Sequence, residues 1–282
     1  MRVSVSLCED QVIQGAPVIL AVAFENTTDT PLRFANPAQT LRATVKGIGD
    51  TEDPPEGDGP LRTGWSFVVA PHSTMTYYQN LWAFHDLERA GTYQVTGGLA
   101  FAARPAAEPK GDSRTTAALT GQTEYGPLRF QVLEPSPEES NAYGLMAGKW
   151  AEVWWEQGEP PDVKLASLAR HMAAEDPDSV YLPYVWWRAF HWYIPLNNQF
   201  QGLDSGEARR VCQAFRQRYP EFPMFDEVKW VEAWLGGLAD PRTVVDLEAV
   251  AKALEALAAE TSNVTVQMRA SVYAQVIRTR YM

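Results

Sequence analysis

The feature that most restricts this chain is a change of apolar period near Glu134. Before that point apolar residues alternate with polar ones, and after it they recur at every third or fourth position. A period of two belongs to strands and a period near 3.6 to helices, so two kinds of core are written into one sequence. With 282 residues the chain also exceeds what one average core needs. Two domains are therefore expected, 1–134 built of strands and 135–282 built of helices.

In the first half, Val3 and Val5 alternate with serines. Pro17 to Glu25 is apolar on both faces, as a central strand must be, with Val18, Leu20, Val22 and Phe24 on one side. Asn26-Thr27-Thr28-Asp29 is a turn cluster. Further strands are expected at Pro31–Phe34, Leu41–Val45, Trp65–Val69, Ser73–Gln79, Thr92–Phe101 and Pro127–Leu133. Short strands separated by turns at this density predict an antiparallel β-sandwich. Two stretches break the pattern. Asp50–Asp58 holds five carboxylates, Asp50, Glu52, Asp53, Glu56 and Asp58, and no base. It reads as a solvated mobile loop rather than a calcium site, because its spacing is not that of a D-x-D-x-D-G loop. Ala103–Tyr125, rich in Ala, Pro, Thr and Gly, reads as a long, partly disordered insertion.

Leu87 and Ala90-Gly91-Thr92-Tyr93-Gln94-Val95 form the pattern L-x-x-A-G-x-Y-x-V. It resembles a strand of immunoglobulin-like bacterial domains, and Val3–Val5 with Gly15–Leu20 and Phe24–Asn26 resembles their first hairpin. The sandwich is also similar to a bacterial intracellular proteinase-inhibitor family. The resemblance implies an immunoglobulin-like sandwich over 1–134, with Tyr93 as a tyrosine corner whose hydroxyl bonds back upstream. The Cys…Trp…Cys set of antibody domains is absent.

The second half opens with a helix start. Ser136 is placed to cap, Pro137 occupies the first position and Glu139 closes a capping box. Helices are expected from there to Gly158, over 162–174, 180–193, 204–218 and 224–238, from Asp240-Pro241, and over 264–278. Asp176-Pro177 with Val185 and Trp187 aligns with Tyr219-Pro220 with Val228 and Trp230 at a shift of 43 residues, and Asn263, Ser271 and Tyr273 follow at a further 43. A helix, a Pro-marked turn and a second helix make the unit of an α-solenoid. The run Phe215–Pro223 resembles the junction of tetratricopeptide-like repeats, which implies a helical-repeat domain over 135–282.

Eight of the ten tryptophans fall between 150 and 234, with adjacent pairs at Trp154-Trp155 and Trp186-Trp187. Neighbours on a helix point about 100° apart, so each pair demands either packing on two sides or one ring facing a groove. Trp154, Trp155, Trp186, Trp187, His191 and Trp192 are the candidate partner- or ligand-binding residues, in a groove suited to peptide or sugar. Catalytic and metal-binding sets are not apparent. His171 and Glu175 lack a third ligand, and His85-Asp86 and His72 read as turn residues. No cofactor motif occurs.

Charge narrows the partners. With 24 basic and 35 acidic residues the chain carries −11, which excludes nucleic acid as the main partner. Its longest apolar run, Ala16–Phe24, cannot span a bilayer. No secretion signal opens the chain, so a cytoplasmic location is expected, or a periplasmic or secreted one had a leader preceded it. Cys8 and Cys212 fall in different halves and are expected to be free thiols. The expected function is a non-enzymatic binding or scaffold protein with a protein or peptide partner and no cofactor. The alternatives are a proteinase inhibitor acting through the sandwich and a carbohydrate-binding protein using the tryptophans.

Overall fold

The computed structural model of the chain describes residues 1–56, 64–106, 119–146, 163–190, 205–236 and 246–280. The chain divides into two compact units, Met1–Gly158 and Glu159–Met282.

Among its described residues the first unit holds nine strands. They are β1 (Arg2–Leu7), β2 (Gln11–Ile13), β3 (Ile19–Glu25), β4 (Leu32–Ala35), β5 (Leu41–Gly47), β6 (Ser66–Val69), β7 (Thr74–Asn80), β8 (Gly91–Pro105) and β9 (Leu119–Leu133). One sheet runs β1-β3-β7 and the other β2-β9-β8-β4-β6, with β5 also paired to β8. Every ladder is antiparallel except β2 on β9. The chain changes sheet between β1 and β2. Cys8 still donates to Ile19 of the first sheet, whereas Asp10 already accepts from Gln131 of the second.

Alternation on β3 supplies the core. Leu20, Val22 and Phe24 are buried, and the Phe24 ring meets Phe34 and Phe67 of the other sheet at 5.3 and 5.1 Å. Burying one such side chain contributes roughly 1.5–3 kcal/mol, which is why these positions are apolar without exception. The Tyr93 ring is buried against Phe130 at 5.5 Å, and its hydroxyl donates to the Arg89 carbonyl at 2.9 Å. The upstream bond expected of Tyr93 is therefore present.

Two expectations need correction. β9 begins at Leu119 rather than Pro127, so 119–125 is strand and not disordered insertion; residues 107–118 lie outside the described set. Its glycines hide the alternation. At Gly121 the Phe101 ring of β8 occupies the space a side chain would fill, 2.3 Å from a Cβ there, and in return the Tyr125 hydroxyl of β9 lies 2.5 Å from where a Cβ on Gly97 of β8 would stand. The acidic loop is also not free of the fold. Asp53 accepts from the Gly47 amide at 2.9 Å, Thr51 accepts from Thr92, Asp86 donates to the Pro55 carbonyl, and Glu52 pairs with Arg89. The base missing from the loop comes from the tyrosine corner.

Ser136 and Glu139 form the expected capping box, with bonds of 2.8 and 3.3 Å, ahead of α1 (Ser140–Met146), which belongs to the first unit. The rest of the helix expected there, 147–158, lies outside the described residues. The second unit contains α2 (Val163–Glu175), α3 (Leu182–Phe190), α4 (Ser205–Arg218), α5 (Asp226–Gly236), α6 (Leu247–Glu260) and α7 (Val264–Arg280). Asp246 caps α6 through the Ala249 amide; the start expected at Asp240 is outside the described set.

The 43-residue interval is visible in the backbone. Asp176 donates to Met172, Ser179 to Asp176, Leu182 to Ser179 and Tyr184 to Tyr181; 43 residues on, Tyr219 donates to Phe215, Phe222 to Tyr219, Phe225 to Phe222 and Glu227 to Met224. The next interval is 42, because Thr261 donates to Leu257 as Tyr219 does to Phe215. Burial agrees: Val228 corresponds to buried Ala270, whereas Ser271 is exposed. Helices pack as α2 on α3, α4 on α5 and α6 on α7, and the second members of these pairs also meet, α3 with α5 and α5 with α7.

Candidate functional site

Of the tryptophans singled out in the sequence, Trp186 and Trp187 lie on α3; Trp154, Trp155, His191 and Trp192 fall outside the described residues. Trp186 is buried and Trp187 half-buried. Leu182, Tyr184, Val185 and Ala189 of the same helix are buried as well. On α5, none of residues 226–235 is exposed. Adjacent positions can both be covered only when a helix is packed on more than one side, and that is the arrangement of α3 and α5.

Trp230 stands 43 residues after Trp187, and Tyr273 of α7 lies against it. The Trp230 and Tyr273 rings meet at 5.3 Å, and Trp234 touches both, at 5.8 and 6.0 Å. Trp230 and Trp234 are 2% and 5% exposed, so this part of the aromatic set fills the interior. Alongside it lies a polar group that the sequence reading missed. Glu227, buried on α5, receives Arg269 of α7 at 2.7 Å, and Asp226 accepts from Thr261 at 2.6 Å. Glu227 and Arg269 are 42 residues apart, so the second repeat interval was the signal that could have paired them.

His85 and His72 are likewise held by the fold. His85 is buried, and its Nε2 accepts from the Val45 amide at 3.1 Å. His72, exposed in its turn, lies 2.9 Å from Asp29. Burial pushes the Cys8 thiol up to about 11 and Cys212 up to about 12, with Glu9 and Glu232 adding to the shifts. Both cysteines are free, and neither has the lowered pKa of a nucleophilic thiol. Among the described residues no group of three or more His, Cys, Asp or Glu is placed to hold a metal.

Among the described residues β9 presents an edge left largely unpaired. It pairs with β8 from end to end, whereas on its other edge β2 covers only Gln131–Leu133. The cause lies in the sheet change at residues 8–10: β1 is committed to β3 in the other sheet, and β2 is three residues long. From Leu119 to Tyr125 no residue of β9 is buried, and Leu119 is 48% exposed. A register shift separates this stretch from the rest, since Val95 faces Leu128 but Gly97 faces Tyr125. The extra residues there include Gly126, whose φ is 91°. The arrangement can offer backbone donors and acceptors to another extended chain.

No family model matches the chain, and a search of curated proteins finds no similar one.

Proposed function

We propose that the chain is a non-enzymatic binding or scaffold protein, an immunoglobulin-like sandwich joined to tetratricopeptide-like helical repeats, whose partners are proteins or peptides. The tyrosine corner at Tyr93 and the parallel addition of β2 to β9 support the first half of that reading. The repeated backbone bonds and the contacts of α3 with α5 and α5 with α7 support the second.

The observation that carries the functional reading is the outer edge of β9 over Leu119–Tyr125. An unburied strand with one edge unpaired among the described residues is a template for strand addition, in which main-chain bonds give affinity and alternate side chains give specificity. The helices contribute breadth, with α3 and α5 interior and α4 exposing Arg209, Arg210, Gln213 and Gln217.

The test is affinity capture with the full chain beside a Thr123→Pro variant checked for folding by circular dichroism. Proline removes an amide and cannot be paired through, so partners should be retained by the first bait and lost by the second. Equal retention by both baits, or turnover of a substrate that survives repurification and disappears on a point substitution, would contradict the reading.

A further inference from the structure

The residues of the β9 edge are complementary to themselves. Gln122 and Glu124 project from one exposed face, close enough that the Gln122 amide donates to Glu124 Oε1 at 2.8 Å. When two copies of a strand pair antiparallel about a two-fold axis in one continuous sheet, opposed residues share a face. The centre of such a pairing must then fall on a residue. Centring on Glu124 would oppose the two Glu124 carboxylates, and centring on Gln122 would oppose two amides and set Glu124 against Thr120. Centring on Thr123 places Gln122 against the copy's Glu124 twice. It also opposes Leu119 to Pro127, and Tyr125 to Gly121. Each amide retains a second N–H and each carboxylate a second oxygen, so the bonds across the axis add to the one within the chain.

We infer that the outer edge of β9 over Leu119–Tyr125 is a self-association site, at which a second copy of this chain adds antiparallel about Thr123. Other open edges in the unit are less suited. On β7, Met75, Tyr77 and Gln79 are buried, whereas 119–125 has no buried residue. The usual defences of an edge, a proline, a bulge and a charge, sit at Gly126–Arg129, just beyond the open stretch. Leu119 and Thr120 meet Pro127 and Gly126 of the copy, so regular pairing is confined to the five residues Gly121–Tyr125; the interface is below the standard size and the association reversible, with Kd of roughly 10 µM to 1 mM. The net charge of −11 opposes it. That repulsion is screened beyond about 8 Å at physiological ionic strength, so added salt tightens the dimer.

Sedimentation velocity on the full chain, from about 1 to 300 µM, reads the equilibrium directly. Gln122→Glu sets like charges opposite one another twice and should weaken association roughly tenfold, while Gln122→Lys should strengthen it. Thr123→Cys lies on the axis and should oxidise to a disulfide-linked dimer much faster than Thr120→Cys, which faces the copy's Gly126. Gln122 and Thr120 are exposed and Thr123 is half-buried, so the variants should fold, and circular dichroism checks each. A chain monomeric throughout the range overturns the inference. So does a dimer indifferent to Gln122→Glu whose Thr123→Cys and Thr120→Cys variants cross-link alike, for that dimer uses another face. Failure here leaves capture of a different partner by the same edge to be decided by Thr123→Pro.

Discussion

Single residues divide into those whose neighbours were legible and those whose neighbours were not. Trp186 and Trp187 are adjacent in sequence and differ in cover, one buried and one half-buried. Trp186→Ala should therefore cost about 3–5 kcal/mol in chemical unfolding, and Trp187→Ala distinctly less. Equal costs would mean that both rings are core. Glu227 and Arg269 give a second prediction. Arg269→Met leaves the Glu227 carboxylate buried beside no guanidinium, at about 3–5 kcal/mol, whereas Glu227→Leu with Arg269→Met should recover most of that loss. A double variant no more stable than the single one would show that the pair acts through something other than compensation of charge. For the thiols, burial of Cys212 predicts that an aromatic disulfide reagent labels Cys8 before Cys212 in the native protein. Rapid labelling of Cys212 would contradict its placement.

At the scale of elements, the sequence was readable wherever apolar period and turn residues agreed. β3 was, because alternation at Leu20, Val22 and Phe24 is bounded by Pro17 and by the Asn26 turn. The α2–α3 and α4–α5 pairs were, because Pro177 and Pro220 mark equivalent turns. β2 was not, since three residues are too few to show a period. The outer half of β9 was not, since Gly121 and Gly126 interrupt the alternation, and only at Gly121 does a ring, that of Phe101, fill the space in the fold. At Thr261, where no proline marks the turn, the backbone bond to Leu257 lies 42 rather than 43 residues after that of Tyr219 to Phe215. Gly126 is where β9 depends most on a missing side chain. Its φ is 91°, and a Cβ there would lie 2.4 Å from the Val95 carbonyl oxygen. Gly126→Ala should destabilise by more than about 1 kcal/mol in denaturant titration. A neutral result would mean that the shift in register relaxes without cost.

For the molecule as a whole, the net charge is −11, and among the described residues no helix is long and apolar enough to cross a membrane. The candidate site was legible only in part. Of the candidate aromatic residues, Trp186 is buried and Trp187 half-buried, while the open edge of β9 depends on which sheet β1 joins, and no local pattern carries that. Alkaline stability also belongs to this scale. Burial raises the Cys8 and Cys212 thiols above their ordinary value of 9.0 in the folded chain. The unfolded chain therefore releases these protons first, and their contribution to stability is complete below pH 9 and lost as pH rises through about 11 and 12. The midpoint of urea unfolding should fall over that range and less steeply in Cys8→Ala; an unchanged profile would contradict the burial of the thiol.

The most direct measurement is hydrogen–deuterium exchange on the full chain at low and high protein concentration, read over Leu119–Arg129 with β3 as the internal reference. The account predicts fast exchange at the outward amides of 119–125 in dilute protein, slowing as concentration rises, while β3 stays constant. Exchange over 119–125 that is equally slow at every dilution, or equally fast at every concentration, would contradict it.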